Sequence, residues 1–290
     1  MYYVSFYILP PQAYLSKFYM ATNKQKRLGQ VFLKDRDIVQ KIIQAAEIES
    51  KDEILEIGPG KGVLTEPILQ TGAKITAVEK DPSLVRFLEK RFGNKPNLKI
   101  IQADIRDLLK NKDYTKYKIQ DTKYKVIGNI PYYLTSYLFR LLLELDKKPG
   151  TIVLMLQKEV AQRIIAQPPQ MSLLSISVQF YAKPEIICYV PKTAFSPKPK
   201  VDSAVIKLTP YPVIARSEAT KQSFFKVIKA GFRQPRKLLL NNVYNGLNIE
   251  KDKIKEIFEQ LAIPINARPQ NLSVQNWISL AQKLAFFLVD

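Results

Sequence analysis

Histidine is absent from this 290-residue chain, and cysteine occurs once. Without imidazole there is no Ser-His-Asp triad, no imidazole general base and no histidine-ligated metal. A single thiol forms neither an internal disulfide nor a thiolate metal cage, which fits a reducing cytoplasm. Cys188 lies in the apolar run Ile186-Ile187-Cys188-Tyr189-Val190 and reads as a buried strand residue. No apolar run reaches the roughly 18–20 residues of a membrane span. No internal repeat is present. We therefore expect chemistry without metal, imidazole or thiol, away from membranes.

Acidic residues are also scarce: 26 Asp and Glu stand against 45 Lys and Arg, a formal charge of +19 with pI ≈ 9.7. The cations are spread along the chain. Such a surface concentrates polyanions, and nucleic acid is the natural partner. Lysine-favouring AT-rich coding is the other source of such an excess. Hydrophobic residues make up 46 %, enough for one substantial domain and a small one. Residues 1–20 are apolar and tyrosine-rich but lack a basic leader and are broken by Pro10-Pro11. We expect an upstream translation start there, with Met20 as the functional one.

The pattern beyond alternates strand and helix. Helices are expected over 35–47, 63–70, 82–92, 134–145 and 158–166, with Asp35 and Asp37 in the first turn of the first. Strands are expected over 53–57, 74–79, 98–102, 124–128, 151–156, 186–190 and 203–208. This is an open, mostly parallel α/β sheet wrapped by helices. Past about Pro212 only helical patterns remain, over 223–232, 236–244, 251–261 and 274–284. The expected domains are an extension over 1–22, a catalytic α/β domain over 23–212, a polar linker over 213–222, and a small all-helical domain over 223–290.

The strand Glu53-Ile54-Leu55-Glu56-Ile57 ends in Gly58-Pro59-Gly60-Lys61-Gly62, and the next strand ends in Glu79. A carboxylate about twenty residues after a glycine turn is placed to bind ribose hydroxyls. In the dinucleotide fingerprint G-x-G-x-x-G the third glycine comes one residue later than Gly62. Pro59 also lacks an N–H that a phosphate nest would use. The turn favours a ligand without pyrophosphate, and S-adenosylmethionine fits. Its ribose would meet Glu79, its methionine end would lie near Gly58, and Asp104 after the third strand would accept from its adenine amine. Solvated strand-end acids are the plain alternative for Glu79 and Asp104.

After the fourth strand comes Asn129-Ile130-Pro131-Tyr132. The Asn129 side chain and the Ile130 main chain offer two carbonyl acceptors, Pro131 restricts the backbone, and Tyr132 offers a stacking face. Together they can hold a flat base by both N–H bonds of its exocyclic amine, as methylation at adenine N6 requires. A strand, a proline turn and a helix capped by Asn is the plain alternative. The series glycine turn, Glu79, Asp104 and Asn129 at successive strand ends favours the site, because open α/β sheets bind ligands at the carboxyl ends of their strands.

On these motifs the chain resembles the bacterial ribosomal RNA adenine dimethyltransferases of the kasugamycin-sensitivity type, which methylate two adjacent adenosines near the 3′ end of 16S rRNA. The likeness runs from about Lys26 to the C-terminus. It includes Gly29-Gln30, the 54–62 and 78–81 stretches, Leu156-Gln157-Lys158-Glu159-Val160, the 194–205 run, Gly231-Phe232-Arg233-Gln234-Pro235-Arg236-Lys237 and the 268–273 stretch. The resemblance implies a Rossmann-like class I methyltransferase sheet with a small helical C-terminal domain. It also implies S-adenosylmethionine as methyl donor and the small ribosomal subunit or its precursor as partner; a monomer is the simplest expectation. It places donor contacts on Leu33, Gly58, Glu79, Asp104 and Asn129. The substrate platform falls on Asn129, Ile130, Pro131 and Tyr132, with Phe195 as a second aromatic against a base taken out of its stack. Lys24, Lys26, Arg27, Arg233, Arg236 and Lys237 would hold RNA phosphates.

One departure stands out. The family pattern Gly-Gln-Asn-Phe-Leu is here Gly29-Gln30-Val31-Phe32-Leu33, so Val31 replaces a donor-contacting amide. A loss of about 1 kcal/mol of donor affinity is expected. Rival readings are the macrolide-resistance type acting on 23S rRNA, a non-catalytic nucleic-acid-binding relative and a nicotinamide-dependent dehydrogenase. The glycine spacing and the missing imidazole disfavour the last.

Overall fold

Short strands with near-continuous apolar sequence, such as Thr151–Gln157, need cover on both faces, and the molecule supplies it with helices. The computed structural model describes residues 31–111, 124–130, 135–212 and 218–288. Phe32–Asp290 forms one compact unit. In chain order the elements begin with β1 (Phe32–Leu33), α1 (Arg36–Ala46), β2 (Glu53–Ile57), α2 (Thr65–Gln70), β3 (Lys74–Glu79) and α3 (Pro82–Phe92). There follow β4 (Leu98–Gln102), α4 (Ile105–Lys110), β5 (Lys125–Asn129), α5 (Thr135–Leu143), β6 (Thr151–Gln157), α6 (Lys158–Ile164) and α7 (Leu173–Gln179). Then come β7 (Ala182–Val190), β8 (Phe195–Ser196), β9 (Ser203–Pro210), and the helices α8 (Glu218–Gly231), α9 (Leu239–Leu247), α10 (Lys251–Gln260) and α11 (Val274–Ala285).

Seven strands form one sheet in the order β4-β3-β2-β5-β6-β9-β7. The first five are parallel, joined by helical crossovers, and β9 runs antiparallel between β6 and β7. This is the mixed sheet of class I methyltransferases with its reversed hairpin, followed by C-terminal helices. A separate two-stranded pair joins β1 to β8, with Leu33 opposite Phe195.

Several boundaries differ from expectation for local reasons. Asp35 is the N-cap of α1 rather than a first-turn residue; its Oδ1 accepts from the N–H groups of Asp37 and Ile38. The turn Gly62 N–H to Pro59 carbonyl delays α2 to Thr65. Helix α8 starts at Glu218, so the second half of the polar 213–222 stretch is helical, as Glu-Ala-Thr-Lys-Gln allows. Helix α7 was not expected; Ser172 and Ser175 cap its start reciprocally. Strand β7 begins four residues earlier than the pattern indicated and includes Pro184. It lies at the sheet edge, where a missing N–H breaks no central ladder.

One apolar cluster runs from the sheet into the C-terminal helices. Phe180 at the end of α7 stacks on Phe224 of α8 with centroids 4.0 Å apart, and the Met171 N–H donates to the Gln270 carbonyl. Among the described residues no helix is long and apolar enough to cross a membrane.

Candidate active site

The parallel register builds the site at the carboxyl edge of the sheet. Ile57 of β2 lies opposite both Val78 of β3 and Gly128 of β5. Gly58, one residue on, therefore sits between Glu79 and Asn129, and its N–H donates to the Val78 carbonyl at 3.0 Å. Gly58, Gly60 and Gly62 all have positive φ, of 65°, 59° and 80°. A Cβ on Gly58 would come within 3.4 Å of the Asn129 carbonyl oxygen, and one on Gly60 within 3.3 Å of the Phe32 ring. Side chains at these two positions would be strained and would fill the space over the turn.

Glu79 is buried, and its carboxylate is held by three backbone donors. Oε1 accepts from the N–H groups of Lys80 at 2.8 Å and Asp81 at 2.9 Å, and Oε2 from Gly60 at 3.2 Å. With about two acceptor sites per oxygen, Oε2 keeps one for a hydroxyl donor. The Glu79 carbonyl accepts from the Ala103 N–H, which brings Asp104 to the same edge.

Asp104 caps α4, and its oxygens are heavily engaged. Oδ1 accepts from Arg106 N and Nε, both at 3.0 Å; Oδ2 accepts from Arg106 Nη2 at 2.6 Å and Lys80 Nζ at 3.0 Å. The Arg106 hydrogen bonds, with Lys80 assisting, hold this carboxyl well below the usual carboxylate range against the cost of burial. Its roughly four acceptor sites are thus filled, and an adenine amine could bind only by displacing Lys80 or one Arg106 N–H.

Asn129 ends β5, half-buried, opposite Met155 of β6. Ile130 is buried, and its N–H donates to the Met155 carbonyl at 3.3 Å. Pro131 and Tyr132 lie outside the described residues. Leu33 and Phe195 are buried partners across the β1–β8 pair, and Phe32 of that pair touches the glycine turn. The Lys61 ammonium lies over the Phe32 ring, 4.7 Å from its centre, a cation–π contact between the turn and β1. The structure thus brings Gly58, Glu79, Asp104 and Asn129 to one sheet edge.

Sequence reasoning passed over Glu56. It is fully buried on β2; the Thr65 hydroxyl donates to Oε2 at 2.8 Å, while Oε1 has no hydrogen-bond partner. Burial, with the nearby Glu79 charge adding, pushes its pKa up to about 7 although the Thr65 hydrogen bond pulls it down. The available signal was an acid inside an otherwise apolar strand. Arg106 and Lys80 carried no comparable signal, because exposed cations are common in this chain.

Residues 21–285 match the family described as ribosomal RNA adenine dimethylase. The chain is 39 % identical to the ribosomal RNA small subunit methyltransferase A of Synechocystis sp., covering 93 % of this chain and 99 % of that protein. It is 38 % identical to the protein of the same name from Dehalococcoides mccartyi, covering 87 % of this chain and 86 % of that one. Among solved structures, a dimethyladenosine transferase from Plasmodium falciparum superposes with a TM-score of 0.75 at 27 % identity, over 88 % of this chain and 98 % of that one. The 23S rRNA methyltransferase ErmE shares the fold, with a TM-score of 0.71 at 22 % identity over 87 % of this chain and 99 % of that one.

Proposed function

Since the chain belongs to the ribosomal RNA adenine dimethylase family, we propose that it transfers methyl groups from S-adenosylmethionine to N6 of two adjacent adenosines near the 3′ end of 16S rRNA. It is an rRNA adenine dimethyltransferase of the small-subunit group. The observation that carries the site assignment is the placement of Gly58 between Glu79 and Asn129 on one sheet edge.

The residues fit the methyl donor. The turn leaves room where a Cβ on Gly58 or Gly60 would press, and Glu79 presents a fixed carboxylate with an acceptor site to spare. Glu79 would take the ribose, and Asp104 the adenine amine in exchange for a cationic partner. The donor carries a positive charge, and the Glu79 carboxylate at the glycine turn favours it. When bound, S-adenosylmethionine supplies an electrophilic methyl group.

Asn129 and the Ile130 carbonyl do the work on the substrate. The exocyclic amine of adenine is a poor nucleophile because its lone pair is delocalised into the ring. Two acceptors gripping its N–H bonds bias the nitrogen toward tetrahedral geometry and aim the lone pair at the methyl group. No strong base is required, because the alkylated nitrogen is acidic and its proton leaves to solvent. Tyr132 would stack on the base; Phe195, expected as a second stacking ring, is instead buried opposite Leu33 and backs the site from within. The cations of the C-terminal helices would hold RNA phosphates. We further propose that the protein acts as a cytoplasmic monomer, with 23–212 as the catalytic part and 223–290 as the RNA-holding part.

The test is mass analysis of rRNA after incubation with isotope-labelled methyl donor. Label in two adjacent dimethyladenosines of the small-subunit RNA is expected. Label confined to large-subunit RNA, or none, overturns the proposal.

A further inference from the structure

We infer that Lys158, Lys192 and Lys200, with the exposed ring of Tyr189, form the cleft that seats the RNA strand flanking the adenosine to be methylated. The inference rests on the rRNA substrate proposed above, and it concerns a surface outside the donor site and outside the C-terminal cations. The cleft encloses about 290 Å³ and is lined by these lysines together with Glu159 and Asp202.

Topology puts it beside the chemistry. Gln157 of β6 and Val190 of β7 both pair with Ser203 of β9, so the ends of three strands converge on the carboxyl edge of the sheet. Lys158 follows β6 directly, Lys192 lies just past β7, and Lys200 just precedes β9. Met155 is level with Asn129. Three residues further on, Lys158 stands roughly 10 Å beyond that level by strand rise. A stacked nucleic-acid strand covers that distance in about three nucleotides.

Asp202 is the tie that holds the cleft together. Its carbonyl accepts from the Lys158 N–H at 3.1 Å, and its Oδ1 from the Lys192 N–H at 3.0 Å. One acid thereby fixes both lysine-bearing segments, and Glu159 on the exposed side of α6 is the other acid of the lining. The Lys158 ammonium lies 5.0 Å from the centre of the Tyr189 ring, which is 50 % exposed. An exposed aromatic ring interleaved with cations suits a single strand, whose bases stack while its phosphates are neutralised. A duplex hides its base faces and could use only the charges.

The test uses the full chain and a short fluorescein-labelled single-stranded RNA containing two adjacent adenosines. The triple variant K158A/K192A/K200A is compared with K41A/K74A/K90A, which removes three exposed lysines elsewhere, none of them on the C-terminal helices. Three lost phosphate contacts should flatten the log–log salt dependence of RNA binding by about 2, and weaken binding at least about tenfold at moderate salt. The control triple should match the parent protein, and donor binding by calorimetry should be unchanged in both. Y189A should weaken binding of single-stranded RNA and leave binding of the matching duplex alone. Equal behaviour of the two triples, or an equal Y189A loss on single strand and duplex, overturns the inference. The single variants K192A and K200A, each expected to flatten the slope by about 0.7, repeat the test with less disturbance of the fold. The two proposals fail separately. Cleft-dependent binding without methyl transfer to small-subunit rRNA retires the proposed reaction and supports the cleft, whereas transfer that ignores all cleft variants retires the cleft alone.

Discussion

The backbone N–H of Gly60 donates to Oε2 of Glu79 at 3.2 Å, so the glycine turn after β2 and the acid that ends β3 are one rigid unit. Glu79→Gln would turn an amide N–H₂ toward donors already pointing at that side chain. Such a mismatch costs about 1–3 kcal/mol at a buried site. We expect methyl-donor affinity to fall by about tenfold or more, with a lower melting temperature. Calorimetric titration and a thermal melt check this; parent-like donor binding would refute the assignment of Glu79.

In the proposed mechanism Asn129 acts on the amine being alkylated rather than on the donor alone. Asn129→Ala should lower kcat by about a hundredfold or more while donor Kd changes by less than about fivefold. Single-turnover methylation measured beside donor titration separates the two. Unchanged turnover would end the mechanism.

Val31 stands where the family pattern has an amide. Val31→Asn should tighten donor binding by about 1 kcal/mol, roughly fivefold. Equal or weaker binding by the Asn variant refutes a lost contact at this position.

Glu56 makes stability depend on pH. Its folded-state pKa is raised to about 7 by burial, above the ordinary value of 4.5. The unfolded chain then sheds this proton at lower pH than the folded one does. The contribution of a neutral Glu56 is fully present below about pH 4.5 and is lost as pH rises through about 7, with an integrated size of roughly 3 kcal/mol. Glu56→Gln should remove that part of the pH dependence and raise stability relative to the parent at about pH 8 more than at about pH 5. Urea unfolding at both pH values checks this, and parallel curves for the two proteins would contradict it.

Gly231 closes α8 against the indole of Trp277. A Cβ there would come within 2.3 Å of the ring, and Trp277 is fully buried. Gly231→Ala should destabilise the protein by about 1–3 kcal/mol through overpacking, although alanine has the higher helix propensity. A urea midpoint at or above that of the parent would show that the indole can shift.

Much of the candidate site was legible because its parts punctuate the chain locally. Gly58, Glu79, Asp104 and Asn129 end successive strands, and strand ends are marked by the change from apolar runs to turn residues. What depended on distant partners was not legible. The engagement of Asp104 by Lys80 relies on a cation from another strand end. The pairing of Leu33 with Phe195 joins segments far apart in sequence. Pro184 hid the first half of β7, because a proline in a strand is tolerated only at an edge, and edge position is a property of the whole sheet.

By itself the sequence determined the alternation of strands and helices and the order of Gly58, Glu79, Asp104 and Asn129 along the sheet edge, and its lack of histidine denies it an imidazole of its own. Periodicity and turn preferences operate over a few residues and can be read there. Tertiary structure alone decided that Glu56 is sealed in the core with one oxygen unpartnered, that Asp104 is already filled with cations, and that three lysines from separate segments share one cleft. Those outcomes depend on which surfaces are buried against each other, and burial is settled only when the whole sheet has been assembled.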